Sequence, residues 1–457
     1  MNNVFILIIL GVFFASMLGI GYVTSKKMKT VADFYIGGRN FGAFATSATQ
    51  IASAFGGGMM VAHVGIGYAY GFAEFVYVGF AFPIGVWLLS RFLTDSLRER
   101  EYFTTADWMC GLYGESKHLR LATSIATLMV TLSWWISQPV AAGKILHALT
   151  GIPLEVGIIA SVIVVVIYTM NGGLLAVAYT DVLQLCLMVL GILVLLPITM
   201  MEAGGLSSIL ASVPAENVGF MAPGKTVIIG WLFAVTAGQM VLPIYHQRIL
   251  AARTSAIAKG SLKSLMISCV LAGVWASLLG MAIYTVNPNI TDSETAVVWA
   301  IENLIPSGIA VFILAAIVAA IVSTADSALH TSVTSISRDL YHQIIHPAAS
   351  DKDIMRYSKK ATLFLGLVGI VIGIFVPQVI KLLVIGYTLT ASGLLFPLVL
   401  GCHWKKATSR GALAGILGGI TAAISFSIMI PVFGWEFPAI IPGLIASLAC
   451  TVGFSHA

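Results

Sequence analysis

Residues 319–327 read Ala-Ala-Ile-Val-Ser-Thr-Ala-Asp-Ser and lie inside a long apolar run. On a helix, a small residue and three hydroxyls share one face, because Ala320, Ser323, Thr324 and Ser327 fall at i, i+3, i+4 and i+7. Hydroxyl and carbonyl oxygens are the ligands that hard cations prefer. The stretch therefore predicts a narrow polar stripe in a membrane helix. The stripe is either a cation site or a set of hydroxyls that bond to their own or neighbouring helices.

Asp326 lies beside this face, roughly 100–120° around the helix from its centre. A carboxylate in an apolar span is costly unless it meets a cation or hydrogen-bond donors in the interior of a helix bundle. Asp326 therefore indicates a functional site.

The composition places the chain in a membrane. Hydrophobic residues make up 58% of the 457 residues and charged residues 9%, whereas soluble domains carry roughly 25% charged residues. Apolar runs of about 20 residues predict helices rather than the short alternating strands of a barrel. The predicted fold class is an all-α polytopic membrane protein with thirteen spans, at 4–24, 42–70, 72–93, 118–146, 153–171, 175–200, 226–247, 262–286, 307–335, 360–377, 379–402, 410–431 and 437–455.

The distribution of charge predicts the orientation. With the N-terminus outside, most lysines and arginines, Arg248 among them, fall in or beside cytoplasmic loops, and only Lys144, Lys225 and Lys381 fall outside. An odd number of spans then leaves the C-terminus inside. The net charge of +5 does not indicate a nucleic-acid partner, because the basic residues lie between the spans. The sequence predicts the lipid bilayer as partner and leaves the oligomeric state open.

Two spans carry signs of interruption. The second contains three successive glycines at 56–58, which weaken a helix and allow backbone carbonyls to face a ligand. The seventh contains Ala-Gly-Gln at 237–239, followed by Pro243. Broken helices in corresponding positions of two halves mark the midplane site of inverted-repeat transporters. The alternative is that the glycines only permit close packing of helices.

Several motifs resemble those of one known family, the sodium:solute symporters, which carry proline, pantothenate, choline, sugars or sialic acid. The motifs are FYIGGR at 34–39, GGLLAV at 172–177 with Thr180, Asp181 and Gln184 after it, and STADS at 323–327. The resemblance extends from the first loop to about residue 410. It implies a leucine-transporter-type core of two inverted five-helix repeats. The implied parts are an extra N-terminal helix and loop at 1–40, repeats at 41–205 and 206–404, and two C-terminal helices at 405–457.

The resemblance implies a main sodium site between the second and ninth spans. Its ligands are the carbonyls of Ala52, Phe55 and Ala320 and the hydroxyls of Ser323 and Thr324. Neutral oxygens suit a dehydrated Na⁺ that must be released again.

The resemblance also implies a second sodium site, built from Thr180, Asp181, Asp326 and Ser327, with Ser323 or Thr324 beside it. Asp326 stands where some relatives carry serine, so this site would hold more negative charge. Alternatively, Asp181 and Asp326 are solvated near the cytoplasmic mouth.

The substrate is expected between the two breaks. The candidate residues are Gln50, Ser53, Gly56, Gly57, Trp134, Gln138, Trp231, Gln239 and Tyr387. Trp134 and its neighbour Trp135 cannot face the same side of a helix, so one of them packs elsewhere or faces lipid. His63 lies just past the glycines, where it lines the outer vestibule or serves as a hydrogen-bonded structural residue.

The substrate class stays open between amino acids, monocarboxylates and quaternary amines. The motifs look closest to the choline-carrier branch, yet Ala54 stands where that branch places a cage tryptophan for its cation. Backbone amides at a broken helix are an alternative partner for a carboxylate substrate.

The predicted function is Na⁺-coupled symport of a small polar organic solute by alternating access. The predicted location is the cell membrane, specifically a bacterial inner membrane. Na⁺ is the only cofactor predicted. A proton-coupled carrier would instead titrate Asp181 or Asp326, and a transporter-derived sensor would bind a solute without moving it. An enzyme is excluded, because the sequence holds no nucleophile with base and acid, no Cys/His metal spacing and no P-loop.

Overall fold

The computed structural model describes residues 3–26, 30–170 and 173–456. Gly172, the first residue of one predicted motif, lies outside the described residues. Within the described ranges the chain is helical and contains no β-strand, only one isolated bridge between Phe41 and Ala252. This confirms the predicted all-α class.

The first half of the chain holds the predicted spans one to six. Its helices are α1 (Asn3–Ser25), α2 (Val31–Ile36), α3 (Ala43–Ala54), α4 (Gly58–Tyr70), α5 (Phe75–Glu99), α6 (Thr105–Tyr113), α7 (Lys117–Thr150), α8 (Leu154–Thr169), α9 (Gly173–Glu202) and α10 (Gly205–Ser212).

The second half holds the predicted spans seven to thirteen. Its helices are α11 (Lys225–Met240), α12 (Pro243–Ala251), α13 (Ser255–Val286), α14 (Ala296–Asn303), α15 (Ser307–Ile345), α16 (Asp351–Phe375), α17 (Val379–His403), α18 (Ser409–Phe433) and α19 (Ile440–His456).

Length and hydropathy support a multi-pass membrane protein. Among the described residues, nine helical segments are long and apolar enough to cross a membrane when α11 and α12 are counted together as Lys225–Ala251, and the bent pair of α3 and α4 makes a tenth. The three remaining predicted spans coincide with shorter apolar helices at Gly11–Thr24, Leu154–Ile167 and Ile440–His456. The count of thirteen spans and the orientation of the N-terminus stay predictions.

Both predicted interruptions are present. Between α3 and α4 the axis bends by 54° at the glycines. A Cβ at Gly56 would overlap the hydroxyl of Thr324, so this close approach of backbone to α15 requires glycine. Between α11 and α12 the helix stops at Val241 and Leu242, and Pro243 opens α12, where a missing N–H is tolerated.

Helix α15, which carries the hydroxyl stripe, lies at the centre of the molecule. In its apolar window 78% of the residues are buried, compared with 17% in α18. It packs against α3, α7, α9 and α16. The polar stripe therefore faces other helices rather than lipid.

One prediction about the loops is wrong. The predicted spans at 307–335 and 360–377 leave residues 336–359 as a loop, but α15 continues to Ile345 and α16 begins at Asp351. Asp339 is buried and accepts hydrogen bonds from Ser335 in the same helix and from Thr104, the N-cap of α6, so polar contacts extend α15 beyond its apolar part.

Candidate ion and substrate sites

The end of α3 and the hydroxyl stripe of α15 meet at the first helix break. The last carbonyls of a helix have no partner within it, and the bend at the glycines leaves those of Ala52 and Ser53 open. The Ser323 hydroxyl donates to the Ala52 carbonyl at 3.1 Å, and the Thr324 hydroxyl donates to the Ser53 carbonyl at 3.1 Å. Both hydroxyl side chains are buried, so the contact is a cluster of oxygens enclosed by protein.

The electrostatics of this cluster favour a cation. The C-terminal end of α3 is the negative end of its dipole. Ser323 also donates to the carbonyl of Ala320 at 2.9 Å. Ala52, Ala320, Ser323 and Thr324 of the predicted main site are thus brought together.

The carbonyl of Phe55 differs from the other oxygens predicted for the main site. Phe55 caps α3 and is buried, but the α15 hydroxyls bond the carbonyls of Ala52 and Ser53 rather than that of Phe55. The Ser53 carbonyl, which accepts the hydrogen bond from Thr324, is a candidate ion ligand that sequence reasoning missed. In the sequence, the feature that could have identified this carbonyl is its position among the last residues before the glycines.

The residues predicted for the second sodium site surround a buried arginine. Arg248 Nη2 donates to Ser327 Oγ at 2.6 Å and lies 4.0 Å from Asp181 Oδ2. Thr49 also donates to Asp181, and Ser53 Oγ lies 2.9 Å from Ser327 Oγ. Arg248 also interacts electrostatically with Asp326, so the cluster contains two acids and one base.

Two expectations about this region are wrong. Arg248 is not in a cytoplasmic loop, because α12 is buried and its guanidinium is fully enclosed. Asp181 and Asp326 are also fully buried and are not solvated at a cytoplasmic mouth. Thr180 turns its hydroxyl to the carbonyls of Ala176 and Val177 in its own helix.

A small cavity adjoins the break. Four of the nine substrate candidates line it, namely Gly56, Trp134, Gln138 and Tyr387. The other lining residues are Ala54, Gly58, Met59, His63, Phe82, Thr324 and Leu383. Because Thr324 faces both the cavity and the oxygen cluster, an ion and a solute would be neighbours.

The remaining substrate candidates divide into two groups. Gly57 donates its amide to Gln138 Oε1 at 2.8 Å, and Gln239 Nε2 donates to the Tyr387 hydroxyl at 2.8 Å. Gly57 and Gln239 therefore hold the wall residues Gln138 and Tyr387 in place.

Gln50, Ser53 and Trp231 are not among the lining residues. Gln50 is fully buried in α3, Ser53 faces α15, and Trp231 lies against Tyr77 with ring centroids 5.4 Å apart. Of the adjacent tryptophans, Trp135 is the one that packs elsewhere, since its Nε1 donates to the Leu365 carbonyl of α16 at 3.0 Å.

Ion clusters lie at the two ends of the bundle. At the predicted outer end, Lys144 Nζ lies 2.8 Å from Asp292 Oδ2 and 2.6 Å from Glu294 Oε2. At the other end, Arg120 Nη1 lies 2.6 Å from Asp107 Oδ1 and 3.6 Å from Asp339 Oδ1. Each cluster joins elements that are distant in the chain.

A second small cavity adjoins the cluster that contains Asp339. Its wall is rich in hydroxyls, contributed by Thr104, Thr105, Thr127, Thr331, Thr334 and Ser335.

A helical bundle with two interrupted spans, an oxygen cluster at one break and a cavity beside it defines a multi-pass membrane transporter. The chain belongs to the sodium:solute symporter family, whose model matches residues 34–419. Membership confirms the resemblance, the membrane location and the prediction that the protein is not an enzyme.

Known relatives cover nearly the whole chain. It is 26% identical to the sodium/proline symporter of Salmonella typhimurium over 97% of this chain and 91% of the relative. It is 27% identical to the sodium/pantothenate symporter of Haemophilus influenzae over 93% of this chain and 91% of the relative. The fold matches a Na⁺-coupled sialic acid symporter, in its substrate-bound outward-open state, with a TM-score of 0.83 and 20% identity over 99% and 97% of the two chains.

Proposed function

We propose that this protein carries a small polar organic solute into the cell together with Na⁺ by alternating access. The proposed working parts are the inverted repeats at 41–205 and 206–404, with the flanking segments at 1–40 and 405–457 as support. The proposed substrate class is an amino acid, a monocarboxylate or a quaternary amine.

One observation carries the proposal. The hydroxyls of Ser323 and Thr324 reach the carbonyls of Ala52 and Ser53 at the break, both at 3.1 Å. A Na⁺ among these oxygens, with the carbonyls of Ala320 and Phe55, would join α3 to α15 and favour the arrangement that accepts the solute. Neutral ligands keep the affinity low enough for release.

Coupling follows from linkage between the ion and the solute. If Na⁺ raises the affinity for the solute by some factor, the solute raises the affinity for Na⁺ by the same factor. A potential of about 100 mV supplies roughly 2.3 kcal/mol for each Na⁺ that enters, which supports ~50-fold accumulation of the solute.

A second Na⁺ is proposed at Asp181, Asp326 and Ser327, with Thr180 beside them. When both acids are ionised, Arg248 cancels one of two negative charges, so the cluster retains one negative charge. A monovalent cation would neutralise it. The buried position of the acids supports this proposal, because an uncompensated charge in a low-dielectric interior is costly.

The test is sodium-driven uptake in proteoliposomes that contain the Ser323→Ala/Thr324→Ala variant. Loss of both hydroxyls removes two ligands and the link to α3, so we expect the Na⁺ concentration for half-maximal uptake to rise tenfold or more. The matched control is Ser124→Ala/Thr199→Ala, whose buried hydroxyls bond carbonyls four residues earlier in their own helices.

Unchanged sodium dependence in Ser323→Ala/Thr324→Ala would place the main site elsewhere. Uptake by the unmodified protein that follows pH and ignores Na⁺ would replace the proposal with proton coupling. Binding of solutes without flux would identify a sensor.

A further inference from the structure

A histidine and a glutamate form a buried pair at the wall of the substrate cavity. His63 lies on α4 and lines the cavity, and its Nδ1 lies 2.9 Å from Oε1 of Glu74. The side chains are 6% and 0% exposed. Gly71, with φ of +58°, makes the turn between α4 and α5 that returns the chain to His63.

The surroundings of the pair hold its geometry. The Tyr77 ring lies edge-on to the His63 ring at 4.7 Å, and Trp231 lies edge-on to Tyr77 at 5.4 Å. Within the described part of the chain, the salt bridge of Glu74 is formed with His63 alone. The His63 imidazole is therefore the charged or polar partner that faces the Glu74 carboxyl group.

The state of the pair follows from the cost of burying charge. A net charge enclosed in an apolar interior is expensive, so the electrically neutral forms of the pair are favoured. These forms are imidazolium with carboxylate, and neutral imidazole with a protonated carboxyl group. In both forms one proton lies in the 2.9 Å gap between Nδ1 and Glu74 Oε1, and the other nitrogen, Nε2, carries a hydrogen. The pair therefore presents an N–H donor on the side of the ring away from Glu74.

We propose that His63 Nε2–H anchors the carboxylate of the transported solute, with Glu74 as the positioning residue. The inference rests on the proposed function and narrows its substrate class to carboxylate-bearing solutes, anionic or zwitterionic. A carboxylate is the acceptor that gains most from such a donor. Met59, Phe82 and Leu383 supply apolar walls for the rest of a small molecule.

The position of the proposed Na⁺ supports an anionic group in the cavity. Thr324 lines the cavity and also bonds the Ser53 carbonyl in the oxygen cluster. A Na⁺ held by Thr324 would lie beside the carboxylate and attract it. Direct attraction between ion and substrate would then contribute to their coupling.

Two variants of His63 separate substrate binding from structural support. The amide nitrogen of asparagine overlaps the position of Nδ1, so His63→Asn keeps the partner of Glu74 and loses the donor in the cavity. The amide nitrogen of glutamine overlaps Nε2, so His63→Gln keeps the donor and loses the partner of Glu74. If His63 only supported Glu74, stability and KM would change together.

The experiment measures uptake of labelled L-proline, pyruvate, glucose and choline into proteoliposomes under an inward Na⁺ gradient, and the melting temperature of each variant with Na⁺. We expect uptake of a carboxylate-bearing solute. For it, His63→Asn raises KM about 10- to 100-fold at nearly unchanged melting temperature, as expected for loss of a hydrogen bond to a charged group. His63→Gln keeps KM within about threefold and melts at a lower temperature.

The failures of the two proposals can be distinguished. Na⁺-dependent uptake confined to glucose or choline would overturn the carboxylate anchor and keep the proposed function. A KM of His63→Asn within threefold of the unmodified protein would do the same. Uptake of the panel that ignores Na⁺ would overturn the proposed function itself.

Discussion

At the scale of single residues, Arg248 is a fully enclosed base beside two buried acids. Its guanidinium donates to Ser327 at 2.6 Å and lies 4.0 Å from Asp181. Removing one partner of a buried ion pair leaves an uncompensated charge and costs about 3–5 kcal/mol. The arginine is therefore needed for stability even if a cation also binds the acids.

We expect Arg248→Gln to lower the melting temperature of the purified protein in potassium buffer by several degrees or more. Na⁺ should restore more stability to this variant than to the unmodified protein, because both carboxylates then lack their internal cation. The control is Arg356→Gln, whose partner Asp353 lies 3.9 Å away in a pair with side chains 64% and 45% exposed. Equal effects of Na⁺ on Arg248→Gln and on the control would contradict cation binding by these acids.

At the scale of elements, the break between α3 and α4 depends on contacts with two other helices. A Cβ at Gly56 would overlap Thr324 and lie 2.6 Å from Gln138 Oε1. A Cβ at Gly58 would meet only the flexible end of Leu383, at 3.3 Å. Gly56 and Gly58 therefore differ in their tolerance to substitution by alanine.

We expect Gly56→Ala to raise both the KM for solute and the Na⁺ concentration for half-maximal uptake about tenfold or more. The added methyl group displaces a proposed ion ligand and a residue of the cavity wall, and overpacking of this kind costs about 1–3 kcal/mol. Gly58→Ala serves as the control and should change both constants less than threefold. Similar constants for the two variants would show that the glycines act through helix flexibility rather than through close approach.

At the scale of the whole molecule, Lys144 joins α7 to the short turn at Ser293–Thr295, which follows α13. This turn lies over α4, because a Cβ at Gly65 would be 2.7 Å from the Ser293 carbonyl. Glu294 also lies 3.5 Å from the amides of Val379 and Ile380 at the start of α17. The cluster thus ties four elements together at one end of the bundle.

We expect Lys144→Met to loosen this end, because Asp292 and Glu294 lose their shared cation. The measurement is the rate at which a membrane-impermeant thiol reagent modifies a cysteine at Met59, in a background without the native cysteines. The rate should rise severalfold over the background, whereas Lys225→Met, the change of an exposed lysine on the same predicted side, should leave it unchanged. An unchanged rate in Lys144→Met would show that the cluster does not restrict access to the cavity.

The sequence by itself determined the helical spans, the two breaks and the stripe of Ser323 and Thr324. These features depend on hydropathy, glycine, proline and helical period, which are properties of consecutive residues. The family resemblance added the pairing of this stripe with Ala52.

Only the tertiary structure decided which buried groups share a site. It brought Arg248, predicted in or beside a cytoplasmic loop, to Asp181, joined His63 to Glu74, and placed Trp231 against Tyr77 rather than in the cavity lining. Ser323 bonds a carbonyl 271 positions earlier in the chain. Such contacts depend on how helices pack against one another, and helical period and hydropathy along the chain carry no information about which faces meet.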